Sequence, residues 1–494
     1  MGSLENLKKF RSEKIDTKYI GFSVNSGSIK PVHLANGLLR TIKGLIYDNE
    51  YIAKFSYVSG QNGPIKHTAI KAVYKEFVDK EMLDDSISEQ KFDALRVMAQ
   101  SLIGADKGVY DYKHNGMVSY TIPNKYFLTD SKTHTMAGDL IGSLIKATNS
   151  DIIDLINNDL DDIKDPISVL FIPTYSYDGE SKYDSDMNVD EIIGFKNHTM
   201  DEFINKLKLA NDCLCKNLEK HPNKLVHLRQ FNLLSIFEII LYISNLEHEY
   251  GLSSKNNPIL LDFSNDSKGE IAMASTWCVM QINQSLARCY SKLIADELKN
   301  EYLWIEDLIN YNGIPSYDGK TPKSKKDKET ALAFREIFEN AKDRAKLATN
   351  DDDKYLIFGE AIYDMLEYEG SSNVIKYIKN LALKAGIFYP QSNRVINKRF
   401  NLSLETLEVL IKSCVEPNQS ITVNELQDLL WDRFNIVIGG RQKDVDILQE
   451  CGITHADFDA LDDNKRMFEN VLENMNLAEI LADGILKIKT GDEY

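Results

Sequence analysis

Residues Pro64 to Ile122 read PIKHTAIKAVYKEFVDKEMLDDSISEQKFDALRVMAQSLIGADKGVYDYKHNGMVSYTI, and the reading of this stretch decides the fold. Pro64 stands where a first helical turn tolerates proline, and Ile65, Ala69, Ile70, Val73, Phe77 and Val78 then recur at helical spacing. The spacing predicts a helix that stops near Asp84-Asp85. Ser88 can cap a second helix with an apolar face of Phe92, Leu95, Met98, Ala99 and Leu102, leaving Lys91, Arg96 and Gln100 for the other side. Tyr110, Tyr112, Val118, Tyr120 and Ile122 alternate about Asn115-Gly116, the strongest short hairpin signal. Two helices followed by a tight hairpin outline a winged helix-turn-helix.

On the N-terminal side, residues 1–30 are polar and predict a loosely held arm. Pro31 to Ile46 predicts a helix and Tyr51 to Val58 a short element, which together would complete the small core of this first domain. Tyr126 to Ile145 is its exit. Past Asp151 an acidic run (Asp154, Asp159, Asp161, Asp162) leads through Pro166 to a predicted strand, Ser168 to Tyr175. A mainly helical centre follows from Met200 to Tyr311. Phe231 to Leu246 is apolar on all sides and predicts a buried helix. Pro258 to Phe263 (PILLDF) predicts a buried strand, paired with the one at Ser168. Ile271 to Leu298 predicts a long helix.

Lys320 to Lys328 (KTPKSKKDK) is a basic linker into helices at about Glu329–Ala348, Tyr355–Tyr368 and Ser372–Ala385. The last hundred residues repeat the opening order. Leu404 to Cys414 is a helix, Thr422 and Glu425 form a capping box for Val423 to Phe434, and Asp463 can cap Asn464 to Met475. Ile480 to Lys489 alternates about Asp483-Gly484 as a second hairpin. The expected fold is mainly α with small β elements (α+β). Winged-helix-like domains at 1–146 and 396–494 flank a helical middle domain at 147–320 and a helical segment at 321–395.

The chain of 494 residues carries a net charge of -17, which argues against general affinity for nucleic acid or an anionic membrane. The charge is uneven. Residues 1–146 hold 20 Lys+Arg against 16 Asp+Glu, a balance of +4, so the remainder carries -21. A mildly basic front and an acidic remainder suit different partners. The six cysteines are sparse and set among apolar neighbours, as reduced thiols are. The first residues, MGSLENLKKFRSEK, lack the apolar core of a signal peptide, and the run Phe231 to Leu246 is short for a bilayer and interrupted by Glu238. The expectation is a cytoplasmic protein without a membrane partner.

No catalytic signature survives comparison with the chemistry it would need. In Gly313-Ile-Pro-Ser-Tyr-Asp-Gly319-Lys320-Thr321, five residues separate the glycines where a phosphate loop has four, and Pro322 replaces the helix start. Asp184, Asp186 and Asn188 open like a calcium loop, but Val189 and Phe195 stand where glycine and glutamate belong. Cys213 and Cys215, two apart on a helix, diverge and do not form a zinc pair with His221 and His227. One enzymatic alternative has named residues: Asp165, Glu180 and Lys182 as a magnesium-dependent nuclease core of restriction type, with carboxylates for the ion and a lysine for the attacking water. Its weakness is that Gly-Glu-Ser-Lys-Tyr is turn sequence, not an apolar strand.

For duplex DNA, phosphate contact needs clustered Lys/Arg and base reading needs a helix in the major groove. The candidates are Ser88, Lys91, Arg96 and Gln100 on the second helix, Lys113 and His114 at the wing tip, and the basic clusters Arg394, Lys398, Arg399 and Arg441, Lys443. Winged helices also serve protein contact, and Glu89 and Asp93 on the same helix suit that use.

The segment from Asn435-Ile-Val-Ile-Gly-Gly-Arg through Leu477-Ala-Glu-Ile-Leu-Ala-Asp-Gly-Ile-Leu resembles C-terminal helix-and-wing segments in uncharacterised large subunits of prokaryotic anti-phage defence clusters. It covers under a fifth of the chain and carries no catalytic residues. The resemblance implies a cytoplasmic bacterial protein working beside a nuclease, translocase or methyltransferase. The sequence therefore leads to a non-enzymatic DNA-binding or scaffold subunit of a multi-protein complex, with other protein subunits as partners and no cofactor or metal. Its alternatives are the nuclease and a pure protein-interaction scaffold.

Overall fold

In KLVHLRQFNLLSIFEIILYIS, residues 224–244, the run from Phe231 onward is apolar on all sides, so a helix there must be enclosed by others. The computed structural model describes residues 2–24, 29, 31–44, 67–103, 110–111, 116–117, 136–162, 187–197, 200–264, 266–302, 304–317, 322, 324–369, 374–392, 397–481 and 486–490. The elements used below are α1 (Pro31–Lys43), α2 (His67–Asp79), α3 (Glu89–Ile103), β1 (Tyr110–Asp111), β2 (Gly116–Met117), α4 (Met136–Ala147), α5 (Ile152–Asp162), α6 (Asp201–Leu218) and α7 (Lys224–Ser244). They continue with β3 (Ile259–Leu260), α8 (Glu270–Glu301), α9 (Lys325–Leu347), α10 (Asp351–Glu369), α11 (Val374–Lys384), β4 (Phe388–Tyr389) and β5 (Arg399–Phe400). The last are α12 (Leu404–Lys412), β6 (Ser420–Thr422), α13 (Val423–Phe434), β7 (Ile436–Val437), α14 (Gln442–Glu450), α15 (Phe458–Asn474), β8 (Ala478–Ile480) and β9 (Leu486–Lys489).

The chain is mainly helical with a few short strands. α7 is the buried axis, packed by α1, α4, α5, α6, α8, α11 and α12. It is long and apolar enough to cross a membrane, but 89% of its apolar window is buried inside the protein. α8 and α10 form the most extensive helix pair, and α9 packs on the other side of α10. At their crossing α10 carries Gly359, where a Cβ would lie 2.1 Å from the Ser291 carbonyl oxygen, so only glycine permits the approach.

The N-terminal segment corrects the expectation of a loose arm. Leu4, Leu7, Phe10, Ile15, Ile20, Phe22 and Val24 are buried in the main apolar cluster. Arg11–Ile20 is a π-helix, whose i→i+5 bonding sets residues five apart over one another and so brings Arg11 onto Asp16. Arg11 Nε and Nη2 donate to the Asp16 carboxylate at 3.2 and 3.1 Å. The same carboxylate accepts the Val24 amide at 3.1 Å and the Tyr290 hydroxyl of α8 at 3.2 Å. Further ties run from Leu7 N to Ser316 Oγ (3.0 Å), Tyr19 Oη to Glu297 (2.6 Å) and Lys8 to Glu369 (2.8 Å). A polar sequence thus hides a buried stripe that straps the core.

Strand β3 is buried as predicted, but it pairs in parallel with β7 (Ile259↔Ile436), and Leu261 bridges Phe400. The expected partner, Ser168 to Tyr175, lies outside the described residues, as does Tyr51 to Val58. Apolar packing therefore runs across residue 395, with Phe237 of α7 edge-on to Phe434 of α13 at 5.6 Å. Helix α1 forms as expected and packs on α4, α7 and α5. It belongs to the main core because all its residues from Pro31 to Ile42 are buried.

Removing one partner of a buried ion pair leaves the other charge uncompensated, at about 3–5 kcal/mol. Arg11→Met is expected to lower the urea-unfolding free energy by that order, and Arg11→Met with Asp16→Asn to recover part of it. A cost under about 1 kcal/mol for the single change would show that the strap is not held by this pair.

Candidate functional site

Within Pro64–Ile122 the described residues form helices α2 and α3 and then the antiparallel pair β1–β2 (Tyr110↔Met117), with Gly116, expected in the turn, paired to Asp111. Phe77 and Tyr74 of α2 pack on Phe92 of α3 at ring distances of 5.4 and 5.6 Å. Ser88 caps α3, its Oγ accepting the Lys91 amide at 3.4 Å. Lys91 is exposed and its Nζ donates to the Ser86 carbonyl at 3.1 Å. Arg96 departs from expectation: it is 3% exposed and paired with Asp93 at 2.8 Å. The inward stripe of α3 runs through Phe92 and Arg96, one turn apart, while Val97 and Met98 are about half exposed. The arginine stem packs inward and Asp93 satisfies its head, which removes it from the outer face. Gln100 lies in the last turns of α3. Lys113 and His114 are outside the described residues.

On α2, Lys71 and Lys75 stand exposed one turn apart with no ion pair among the described residues. The helical spacing of Ile65, Ala69, Ile70, Val73 and Phe77 points to packing for this helix and gives no signal for its two lysines. Across 67–103 the balance is 5 Lys+Arg against 7 Asp+Glu, so the helix pair is slightly acidic.

The C-terminal candidates are committed within the chain. Arg394 lies outside the described residues. Lys398 is buried, donating to the Pro390 and Ser392 carbonyls at 2.5 and 2.6 Å, and burial with Lys379 nearby lowers its pKa. Arg399 pairs with buried Asp262 at 2.6 Å and lies over the Tyr389 ring at 4.9 Å. Arg441 forks onto Asp444 (3.1 and 2.8 Å) and reaches Asp428 at 2.8 Å, while Lys443 reaches Asp428 at 3.0 Å. Burial opposes the Arg441 charge, yet Asp444 and Asp428 raise its pKa. These cations knit α13, α14 and β5 to their neighbours.

No family model, curated protein or solved structure matches this chain.

Asp165, Glu180 and Lys182 lie outside the described residues. Among the described residues no three His, Cys, Asp or Glu side chains are grouped to hold a metal ion. Cys213 and Cys215 lie on helix α6 as expected; the Cys213 thiol donates to the Lys412 carbonyl at 3.4 Å, and burial pushes Cys215 up to about 12. His227 is instead drawn to Asp159 of α5: Nδ1 lies 2.7 Å from its carboxylate and Nε2 2.8 Å from the His221 carbonyl. Both ring nitrogens are thus engaged by oxygen atoms of the chain itself.

The perturbed carboxyl the sequence flagged only as an interruption is Glu238, buried in the middle of α7. It accepts from Asn211 Nδ2 at 2.8 Å through one oxygen, and burial pushes its pKa up to about 8. The folded chain therefore keeps a proton there that the unfolded chain releases above about 4.5, so this contribution to stability falls as pH rises from 4.5 to 8. Buried Glu249, pushed up to about 7, acts in the same direction, so the comparison must be made between variants. Glu238→Gln is expected to match the parent near pH 5 and exceed it by at least ~1 kcal/mol near pH 8 in urea unfolding. An equal difference at both pH values would show that Glu238 is ionised in the fold.

Proposed function

We propose that this protein is a non-enzymatic scaffold subunit of a multi-protein complex, contacting other proteins through its acidic C-terminal unit. The observation that carries the reading is the commitment of Lys398, Arg399, Arg441 and Lys443 to acceptors within the chain, leaving these cations poorly placed to neutralise phosphates.

The elements of the C-terminal unit run α12, β6, α13, β7, α14, α15 and the antiparallel pair β8–β9, with a sheet in the order β6–β9–β8; with β7, which pairs with β3, and α14 set aside, this order supports the winged-helix reading. The capping box Thr422/Glu425 starts α13 as the sequence predicts. Helix α15 begins at Phe458, capped by Asp457 and not by Asp463, which pairs with Arg466 at 3.4 Å. Gly439 gives α15 its close approach, since a Cβ there would meet the Leu461 carbonyl oxygen at 2.5 Å. Read as a winged helix, the unit presents α15 as its outer helix, with five Asp+Glu against two Lys+Arg. Asp459, Asp463 and Met467 share its exposed face, a composition that suits a basic or mixed protein surface and repels DNA. The setting implied by the resemblance, an anti-phage defence assembly, fits such a subunit.

A second reading keeps duplex DNA for the N-terminal unit, favoured by exposed Lys71, Lys75 and Lys91. A gel-shift titration with duplex DNA at low and moderate salt separates the two. The scaffold reading expects no shift at low salt, together with stoichiometric co-purification with a subunit encoded beside it that Asp459→Lys plus Asp463→Lys abolishes. A salt-sensitive shift lost in Lys71→Glu, Lys75→Glu, Lys91→Glu would establish the DNA reading instead.

A further inference from the structure

Helices α8 and α10 run antiparallel, as their contacts show: Lys299 meets Asp352 at 2.6 Å, Ser291 meets Gly359, and the Tyr290 and Tyr363 rings lie 6.0 Å apart. Beside the Gly359 crossing they part to line a cleft of about 440 Å³. Arg288 and Lys292, one turn apart on α8, form one wall, and Glu360 and Asp364, one turn apart on α10, form the other. Leu252, Ala287 and Leu356 supply apolar lining between them.

Opposite charges so arranged ordinarily close on each other. Here, among the described residues, none of the four pairs across the cleft. Arg288 turns to Glu247, donating from Nε and Nη2 at 2.7 and 2.8 Å, and so keeps Nη1. Lys292 pairs along its own helix with Asp296 at 2.8 Å, which uses one of its three donors. Glu360 turns outward to Arg344 at 2.8 Å. Asp364, exposed at the cleft, has no ion pair among the described residues; desolvation and neighbouring Glu360 raise its pKa, and Arg344 acts against them. An unpaired carboxylate on one wall, spare N–H donors on the facing wall and aliphatic surface between them match a molecule with an ammonium at one end and a carboxylate at the other.

We propose that the cleft between α8 and α10 binds a small zwitterion of the α-amino-acid class with an aliphatic side chain. Its ammonium would sit on Asp364, its carboxylate on the spare donors of Arg288 and Lys292, and its side chain against Leu252, Ala287 and Leu356. A cleft of this size holds one such molecule with room for bridging water. The inference stands apart from the scaffold reading, since it uses neither the N-terminal helix pair nor α15.

The test is isothermal titration of the full chain with free leucine, N-acetyl-leucine and leucine amide, up to about 10 mM. Leucine is expected to bind, and both the acetylated and the amidated forms to weaken by about tenfold or more, because each lacks one of the two charges. Asp364→Asn is expected to weaken leucine by a similar factor, and Lys292→Met to narrow the gap between leucine and leucine amide. Both sites are on helix surfaces, and circular dichroism of each variant confirms folding. Absence of heat with leucine, valine and alanine over that range, equal binding of the three leucine forms, or leucine binding untouched by Asp364→Asn would each overturn the proposal.

Discussion

The ion pair between Arg11 and Asp16 fixes how the rest of the chain is assembled. An arginine and an aspartate this deeply buried would each be costly alone, and the structure offsets part of the cost by giving the carboxylate four donors: two from Arg11, the Val24 amide and the Tyr290 hydroxyl. Those donors come from three parts of the chain, so satisfying Asp16 draws the start of the chain, the turn near Val24 and helix α8 to one point. With that point fixed, Leu4, Phe10, Ile15 and Phe22 fall into the apolar cluster, and the segment becomes a strap across the core.

Helices α8 and α10 then serve two purposes. Their crossing at Gly359 anchors the strap from one side, and their divergence beyond it leaves the charged cleft on another. The peripheral units differ from this centre. Helices α2 and α3 pack on each other through Phe77 and Phe92, and the C-terminal sheet β6–β9–β8 closes a unit whose cations are held by its own acids. A buried, perturbed carboxyl lies in α7, where Glu238 accepts from Asn211. The outer surfaces carry the features suited to contact.

What could be read from the sequence was local. The capping box at Thr422 and Glu425, the long helix at Ile271–Leu298 and the buried helix after Phe231 each depend on residues a few positions apart, and each is present; antiparallel pairs also form at Tyr110 and Ile480, but Gly116, expected in the first turn, lies in β2 opposite Asp111. What escaped depended on distance or on an unusual helix. The β3–β7 pairing joins residues far apart in sequence, and apolar runs such as PILLDF do not name their partner. Arg11 and Asp16 lie on different faces of an α-helix, so α periodicity hid a pair that only a π-helix aligns. Arg96 and Lys398 looked like surface cations by type, while their burial depends on Asp93 and on the Pro390 and Ser392 carbonyls. Site assignment from residue type alone fails where a charge is satisfied inside the fold.

The central claim is that the N-terminal strap and the helical core form one cooperative unit pinned at Asp16. Native-state hydrogen exchange read by mass spectrometry measures this directly. Amides of residues 7–24 are expected to exchange as slowly as those of α7 and α8 and to lose protection together with them in rising denaturant, ahead of neither. Rapid exchange of residues 7–24 while α7 and α8 stay protected would contradict the claim, since it would return the segment to the loosely held arm that its polar sequence suggests.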